Sequence, residues 1–179
     1  MEMLRVLAVD DEMGMRMAMA RALVRYTVTL PDIEGEYGYE IEQAATGEEA
    51  LDILAKKSTD ILLLDYKLPG ISGLDVLNEL IQRSQTVLTV MVTAYASLDT
   101  AITATKRGAY DFLAKPFTPD ELKAVIRKTT KHFVLERQAK RLAEEKRQVR
   151  FQFITVLAHE LKAPISAVEG FLSILKDPT

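Results

Sequence analysis

Residues 60–77 read DILLLDYKLPGISGLDVL, and the way the aliphatic run stops decides the fold. Ile61 to Leu64 is too short for a typical helix, is apolar throughout, and ends at Asp65, the pattern of a parallel strand buried on both faces. A helix-like stretch follows at about Leu74 to Arg83. Working outward, similar short runs occur at Leu4 to Val9, Glu40 to Ala44, Val87 to Val92 and Tyr110 to Ala114. Helix-like stretches separate them at about Met15 to Tyr26, Gly47 to Lys57 and Leu98 to Arg107, and a last helix is expected to start near Pro119. Strand and helix thus alternate five times, which predicts an α/β fold: an open parallel sheet covered by helices on both faces. Ligands of such sheets bind at the carboxyl ends of the strands.

Those ends carry the polar residues. The first strand ends in Asp10 and Asp11, the third in Asp65, the fourth in Thr93, and the fifth runs into Lys115-Pro116. Three carboxylates at one sheet edge repel one another unless a cation sits among them, and hard oxygen ligands select Mg²⁺ or Mn²⁺. Singly, each residue has a plainer reading: Asp10 and Asp11 as a helix cap or turn, Thr93 as a strand end, Lys115 as a solvated loop charge. Their conjunction at successive strand ends is what points to a site.

VLAVDDE at 6–12, DILLLDYKLPGISGLDVL at 60–77, MVTAYAS at 91–97 and GAYDFLAKPFTPDEL at 108–122 resemble, in order and spacing, the receiver domain of two-component response regulators across residues 1–127. The resemblance implies a flavodoxin-like, doubly wound, five-stranded parallel sheet of order 2-1-3-4-5. It makes Asp65 the phosphoacceptor, with Asp11, Asp65 and the backbone carbonyl of Lys67 as direct Mg²⁺ ligands and Asp10 acting through water. Lys115 would hold a phosphoryl oxygen, Thr93 would move to bond the phosphate, and Phe112 is the aromatic whose burial is coupled to Thr93, with packing filler as its alternative. Lys115-Pro116 is cis in that family. An aspartate attacking a phosphoryl group needs the phosphoryl charge neutralised, and a metal with a lysine supplies that. The stretch TVTLPDIEGEYGYE at 27–40 is longer than the tight connection usual in α/β units and reads as a surface loop.

Thr118-Pro119-Asp120-Glu121 is a strong helix start, with Thr as N-cap, Pro at the first helical position and Glu three residues after the cap. Neither Pro nor Gly then appears until Pro164, so an unbroken helix would span about 65 Å at ~1.5 Å per residue. Leu135, Ala139, Leu142, Lys146, Val149, Phe153 and Val156 alternate at spacings of four and three, the seam of a coiled coil with one polar interruption, and predict a parallel homodimer. The three segments expected are therefore 1–127, a coiled-coil signal helix at 128–152, and a further helical segment at 153–179.

In that last segment the apolar stripe continues through Ile154, Leu157, Leu161, Ile165, Val168, Leu172 and Leu175, and His159 lies on the opposite side of the helix. FITVLAHELKAPISAVEGFL at 153–172 resembles the phosphoacceptor helix of the dimerisation and phosphotransfer domain of sensor histidine kinases. The resemblance implies His159 as phosphoacceptor and Glu160 as base, followed by Lys162 and Pro164, which removes a helical hydrogen bond and is expected to bend the helix. A neutral imidazole oriented by a carboxylate is a competent nucleophile near pH 7. Four residues after His159 stands Ala163, where that family often carries the Thr or Asn implicated in dephosphorylating a partner. No ATP-binding domain is present, so ATP enters only through a longer parent, and the chain is expected to be the front of a hybrid histidine kinase. The alternative is a stand-alone response regulator whose helical tail dimerises or binds a partner.

Composition fits both. Without cysteine there is no disulfide framework or thiolate metal site. No apolar run is long enough to span a bilayer, so a cytoplasmic protein is expected. Residues 120–150 hold ten Lys and Arg against five Asp and Glu, a surplus of five positive charges, within a chain of net charge -3. That basic helix stands beside no base-reading module, so a nucleic-acid partner is not expected; a phosphohistidine donor or phosphorelay partner is.

Overall fold

A computed structural model describes residues 1–31, 33–94 and 103–176. The chain divides into two compact units, Met1–Val134 and Leu135–Thr179. The first is built on strands β1 (Glu2–Val9), β2 (Val28–Leu30), β3 (Ile33–Ala44), β4 (Ile61–Asp65), β5 (Leu88–Thr93) and β6 (Asp111–Ala114). Its helices are α1 (Met13–Leu23), α2 (Gly47–Lys56), α3 (Gly73–Gln82) and the start of α4 (Pro119–Lys176). Of the helix expected at Leu98 to Arg107, residues 98–102 lie outside the described residues; 103–106 are helical.

The sheet runs β2-β3-β1-β4-β5-β6. Its five parallel members, β3-β1-β4-β5-β6, have the expected order, but among the described residues the sheet has six strands, not five. The added β2 pairs antiparallel with β3, Val28 opposite Tyr37 and Leu30 opposite Ile33. The expected surface loop at 27–40 is thus mostly a hairpin, and the strand expected at Glu40 to Ala44 begins at Ile33. The physical reason is a period-two pattern masked by its acids and glycines: Ile33, Tyr37 and Tyr39 are buried on one face, with exposed Gly35 interrupting that row, while Glu36 and Glu40 face solvent.

The central strands are apolar throughout because both faces are covered. On β4, Ile61 and Leu63 join the cluster that holds Met19 and Leu23 of α1 with Leu122 and Ile126 of α4. Leu62 and Leu64 join the opposite cluster with Ala50 and Leu54 of α2 and Val76, Leu77 and Leu80 of α3. The hairpin enlarges the first cluster: Leu30, Ile33, Tyr37 and Tyr39 pack in it with Val134, near the end of this unit. Tyr39 also exchanges a 2.7 Å hydrogen bond with Thr130 of α4, both residues being buried.

Helix starts follow the local chemistry. Ser72 and Asp75 form a reciprocal capping box on α3, and Thr46 caps α2. On α4 the Glu121 amide donates to Thr118 Oγ1 at 3.2 Å while Glu121 Oε2 accepts from the Thr118 amide at 2.7 Å, the expected box.

In the second unit α4 continues without a break through Pro164 to Lys176. Every side chain described from Leu135 onward is exposed. The heptad stripe is included, with Leu135 at 44%, Leu142 at 52% and Val149 at 66% exposure. A lone helix cannot bury its own seam, so the expected coiled coil is not part of the fold of one chain. No helix among the described residues is long and apolar enough to cross a membrane.

Candidate functional site

The carboxyl ends of β1, β4, β5 and β6 bring together the residues the sequence singled out in the first unit. Asp10, fully buried, leaves β1 with its Oδ1 accepting from the Glu12 amide at 3.0 Å. Asp11 beside it is exposed, and Asp65 ends β4 nearly buried. Carboxylate oxygens of Asp10, Asp11 and Asp65 all lie within 4.8 Å of one another. Lys115 reaches in just after β6, its Nζ 2.8 Å from Asp65 Oδ2 and 2.7 Å from Asp10 Oδ2. The Asp65 contact is a hydrogen bond, whereas Asp10 Oδ2 has no aligned donor despite its burial.

Burial raises the pKa of the Asp65 carboxyl, while the hydrogen bond and charge of Lys115 hold it down without reversing the shift. Burial works against a charged Lys115, but the paired carboxylates of Asp65 and Asp10 outweigh it and raise its pKa. Lys115 therefore stays protonated.

Thr93 is buried at the end of β5, and its carbonyl accepts from the Lys115 amide at 2.8 Å. That bond sets the lysine beside the acids. Phe112 points outward from β6 at 43% exposure. The Lys67 amide donates to Asp65 Oδ1 at 3.3 Å. The Lys115-Pro116 peptide is cis. A cavity of about 470 Å³ opens over these groups, with Asp11, Glu12, Asp65, Lys67 and Lys115 in its wall. In a cavity of about 530 Å³ around Arg5, Glu40, Glu42 and Lys57, Lys57 pairs with Glu42 at 2.7 Å and Arg5 donates to Ser58 at 2.6 Å.

Two residues that shape the site have no counterpart in the sequence reading. Arg16 of α1 donates to the carbonyls of Asp10 at 2.6 Å and Asp11 at 3.1 Å, tying down the turn that presents both acids. A Cβ on Gly73 would collide with the backbone carbonyl of Asp65, so only glycine lets α3 start this close to the end of β4. Arg16 follows the DDE turn at one helical turn's reach, a readable signal; the Gly73 contact spans two elements and is not.

The donor set suits a hard divalent cation. It offers three carboxylates against one ammonium, and the unaligned buried oxygen of Asp10 is among them. A family model described as the response regulator receiver domain matches residues 6–127. The chain belongs to the response regulator receiver family. Receiver domains bind Mg²⁺ through an acidic cluster of this kind, which is present here.

Among the relatives of this receiver, sporulation initiation phosphotransferase F of Bacillus subtilis is 33% identical over 124 residues, covering 69% of this chain and 91% of that protein. The DNA-binding transcriptional regulator NtrC of Escherichia coli is 34% identical over 133 residues, 74% of this chain. The chain spans only 26% of the length of NtrC. The solved chemotaxis response regulator CheY4 of Vibrio cholerae superposes with a TM-score of 0.62 at 29% identity, over 71% of this chain and 98% of that one. These relatives support a receiver in two-component signalling and lend no support to the expected hybrid histidine kinase.

His159 belongs to the second unit, on the exposed surface of α4. Its Nδ1 lies 3.8 Å from Glu160 Oε1, within ion-pair range but too long for a hydrogen bond.

Proposed function

We propose that this receiver accepts a phosphoryl group on Asp65 from a phosphohistidine-bearing donor protein or a small acyl phosphate, and that its helical tail mediates self-association or partner binding. The observation that carries the reading is the Asp65 carboxylate, hydrogen-bonded to Lys115 at 2.8 Å beneath an open cavity and beside two further acids.

With acetyl phosphate as donor, an Asp65 oxygen forms the new bond to phosphorus as the phosphorus–oxygen bond to acetate breaks, and acetate leaves with the electron pair. Lys115 supports the charge on the phosphoryl oxygens, and Asp10, Asp11, Asp65 and the Lys67 carbonyl would hold a Mg²⁺ or Mn²⁺ ion. Bound there, the ion would supply charge neutralisation. Thr93 and Phe112 sit on the adjoining strands, β5 and β6, where a phosphoryl group on Asp65 would draw the Thr93 hydroxyl and alter the setting of the ring.

The test is intact mass after incubation with Mg²⁺ and acetyl phosphate, on the wild type and on Asp65→Asn in parallel. A single phosphoryl mass on the wild type alone is expected; none on either protein defeats the reading.

A second reading keeps His159 as a phosphoacceptor with Glu160 as its base, in a histidine kinase of greater length. It draws on the exposure of His159, at 86%, and the 3.8 Å approach of Glu160. The described neighbours on this helix are exposed as well. Asp65→Asn altering phosphorylation at His159, in a version carrying a kinase ATP-binding domain, separates this reading from the first.

A further inference from the structure

The tail helix carries charges that specify one way for two copies to meet. From Leu135 to Val156, apolar residues alternate at spacings of four and three, with Lys146 the single polar member of the seam. The seam is exposed throughout in one chain. In heptad terms Lys146 occupies a core position, Glu145 the flank before it, and Arg150 the flank after the next core residue, Val149.

Parallel, in-register pairing brings Glu145 of each helix opposite Arg150 of the other and sets each Lys146 ammonium beside the Glu145 carboxylate of the facing helix. Both sets of contacts are attractive and occur twice by symmetry. One antiparallel register places Glu145 against Glu145, which is repulsive, although Arg150 then meets Glu136; the next places Arg150 against Ala143, which is empty; and both set Lys146 against an apolar core residue, Leu142 or Val149, in two layers. In register Lys146 faces Lys146, one polar layer whose like charges the two Glu145 carboxylates offset; sliding by one heptad sets Lys146 against Ala139 or Phe153, so two core layers become mixed instead of none. Within the chain Glu145 touches Arg141 at 3.5 Å, an exposed pair one turn apart that is worth little and leaves the carboxylate able to reach across.

We propose that residues 135–156 pair with a second copy of this chain in parallel and in register, with Lys146, Glu145 and Arg150 as the residues that specify it. The inference rests on the self-association reading of the tail and adds orientation, register and specificity to it.

The absence of cysteine from the chain makes the test direct. Leu142→Cys and Val149→Cys are made singly, oxidised alone and mixed, and the covalent dimers are identified by intact mass. In the parallel, in-register pair each variant links to itself and the mixture yields no Leu142-to-Val149 product. A dimer that forms only the mixed product overturns the inference while leaving self-association standing. A chain that sediments as a monomer at every concentration overturns both, and leaves the tail to a different partner. Glu145→Arg is expected to weaken the dimer roughly tenfold, and Arg150→Glu added to it in the same chain to restore most of that loss. An unchanged dissociation constant in Glu145→Arg overturns the assigned charge pairing.

Discussion

Replacing Tyr39 by Phe removes one hydroxyl from the place where the hairpin meets the last helix of the receiver unit, and its effect is calculable. Tyr39 is buried, its ring lies stacked on Tyr26 with centroids 6.0 Å apart, and its hydroxyl exchanges a 2.7 Å hydrogen bond with buried Thr130. The substitution keeps the packing and leaves the Thr130 hydroxyl without that partner, a loss of about 1–2 kcal/mol at neutral pH. Thr130→Val costs a similar amount, and the double variant little more than either, giving a coupling of about 1 kcal/mol.

A second arm comes from titration. Burial, with a smaller contribution from Tyr26, pushes the Tyr39 phenol up to about 12 from 10.0, against the lowering effect of its bond to Thr130. Between those values the unfolded chain sheds a proton that the folded chain keeps. The contribution of Tyr39 is therefore complete below pH 10 and is lost as pH rises through the folded value, by about 1.4 kcal/mol per pH unit. Tyr39→Phe lacks this loss, so the wild type's lead at pH 7 shrinks to about zero near pH 11. Urea unfolding of both proteins at pH 7, 9 and 11, followed by near-ultraviolet circular dichroism of the tyrosines, reads the difference. A lead that persists undiminished at pH 11, or single effects that simply add in the double variant, refutes the reasoning.

Gly73→Ala drives a methyl against the Asp65 carbonyl; destabilisation of about 1–3 kcal/mol is expected, together with slower phosphoryl uptake from acetyl phosphate. Lys115→Ala removes the ammonium between Asp10 and Asp65 and is expected to slow that uptake by about two orders of magnitude, measured by the rate of mass gain. Chelating divalent cations with EDTA should abolish uptake, and excess Mg²⁺ should restore it. The Thr118 cap bonds lower the pKa of exposed Glu121 below the ordinary glutamate value. Its contribution to stability is present above the unfolded value and is lost as pH falls through the lowered one. Thr118→Ala should therefore flatten the acid limb of the stability profile in acid titration by circular dichroism.

What the amino-acid sequence determined by itself was whatever depends on neighbours along the chain. Continuous aliphatic runs such as Ile61 to Leu64 marked strands covered on both faces, while the order of the five parallel strands followed from the resemblance of the motifs to receiver domains. Asp10, Asp11, Asp65, Thr93 and Lys115 were legible because each ends or follows a strand, and parallel strands deliver such positions to one edge.

Tertiary structure alone decided the rest. The hairpin was hidden because the acids on its solvent face and the glycines within it outweighed the buried alternation of Ile33, Tyr37 and Tyr39, whose value appears only against α1 and α4. That Gly73 must lack a Cβ and that Tyr39 meets Thr130 are facts about approaches between elements, which no local pattern encodes. The tail is the reverse case: its heptads are plain in the sequence, yet a single folded chain leaves them exposed, because a helix seam acquires an inside only when a second surface covers it.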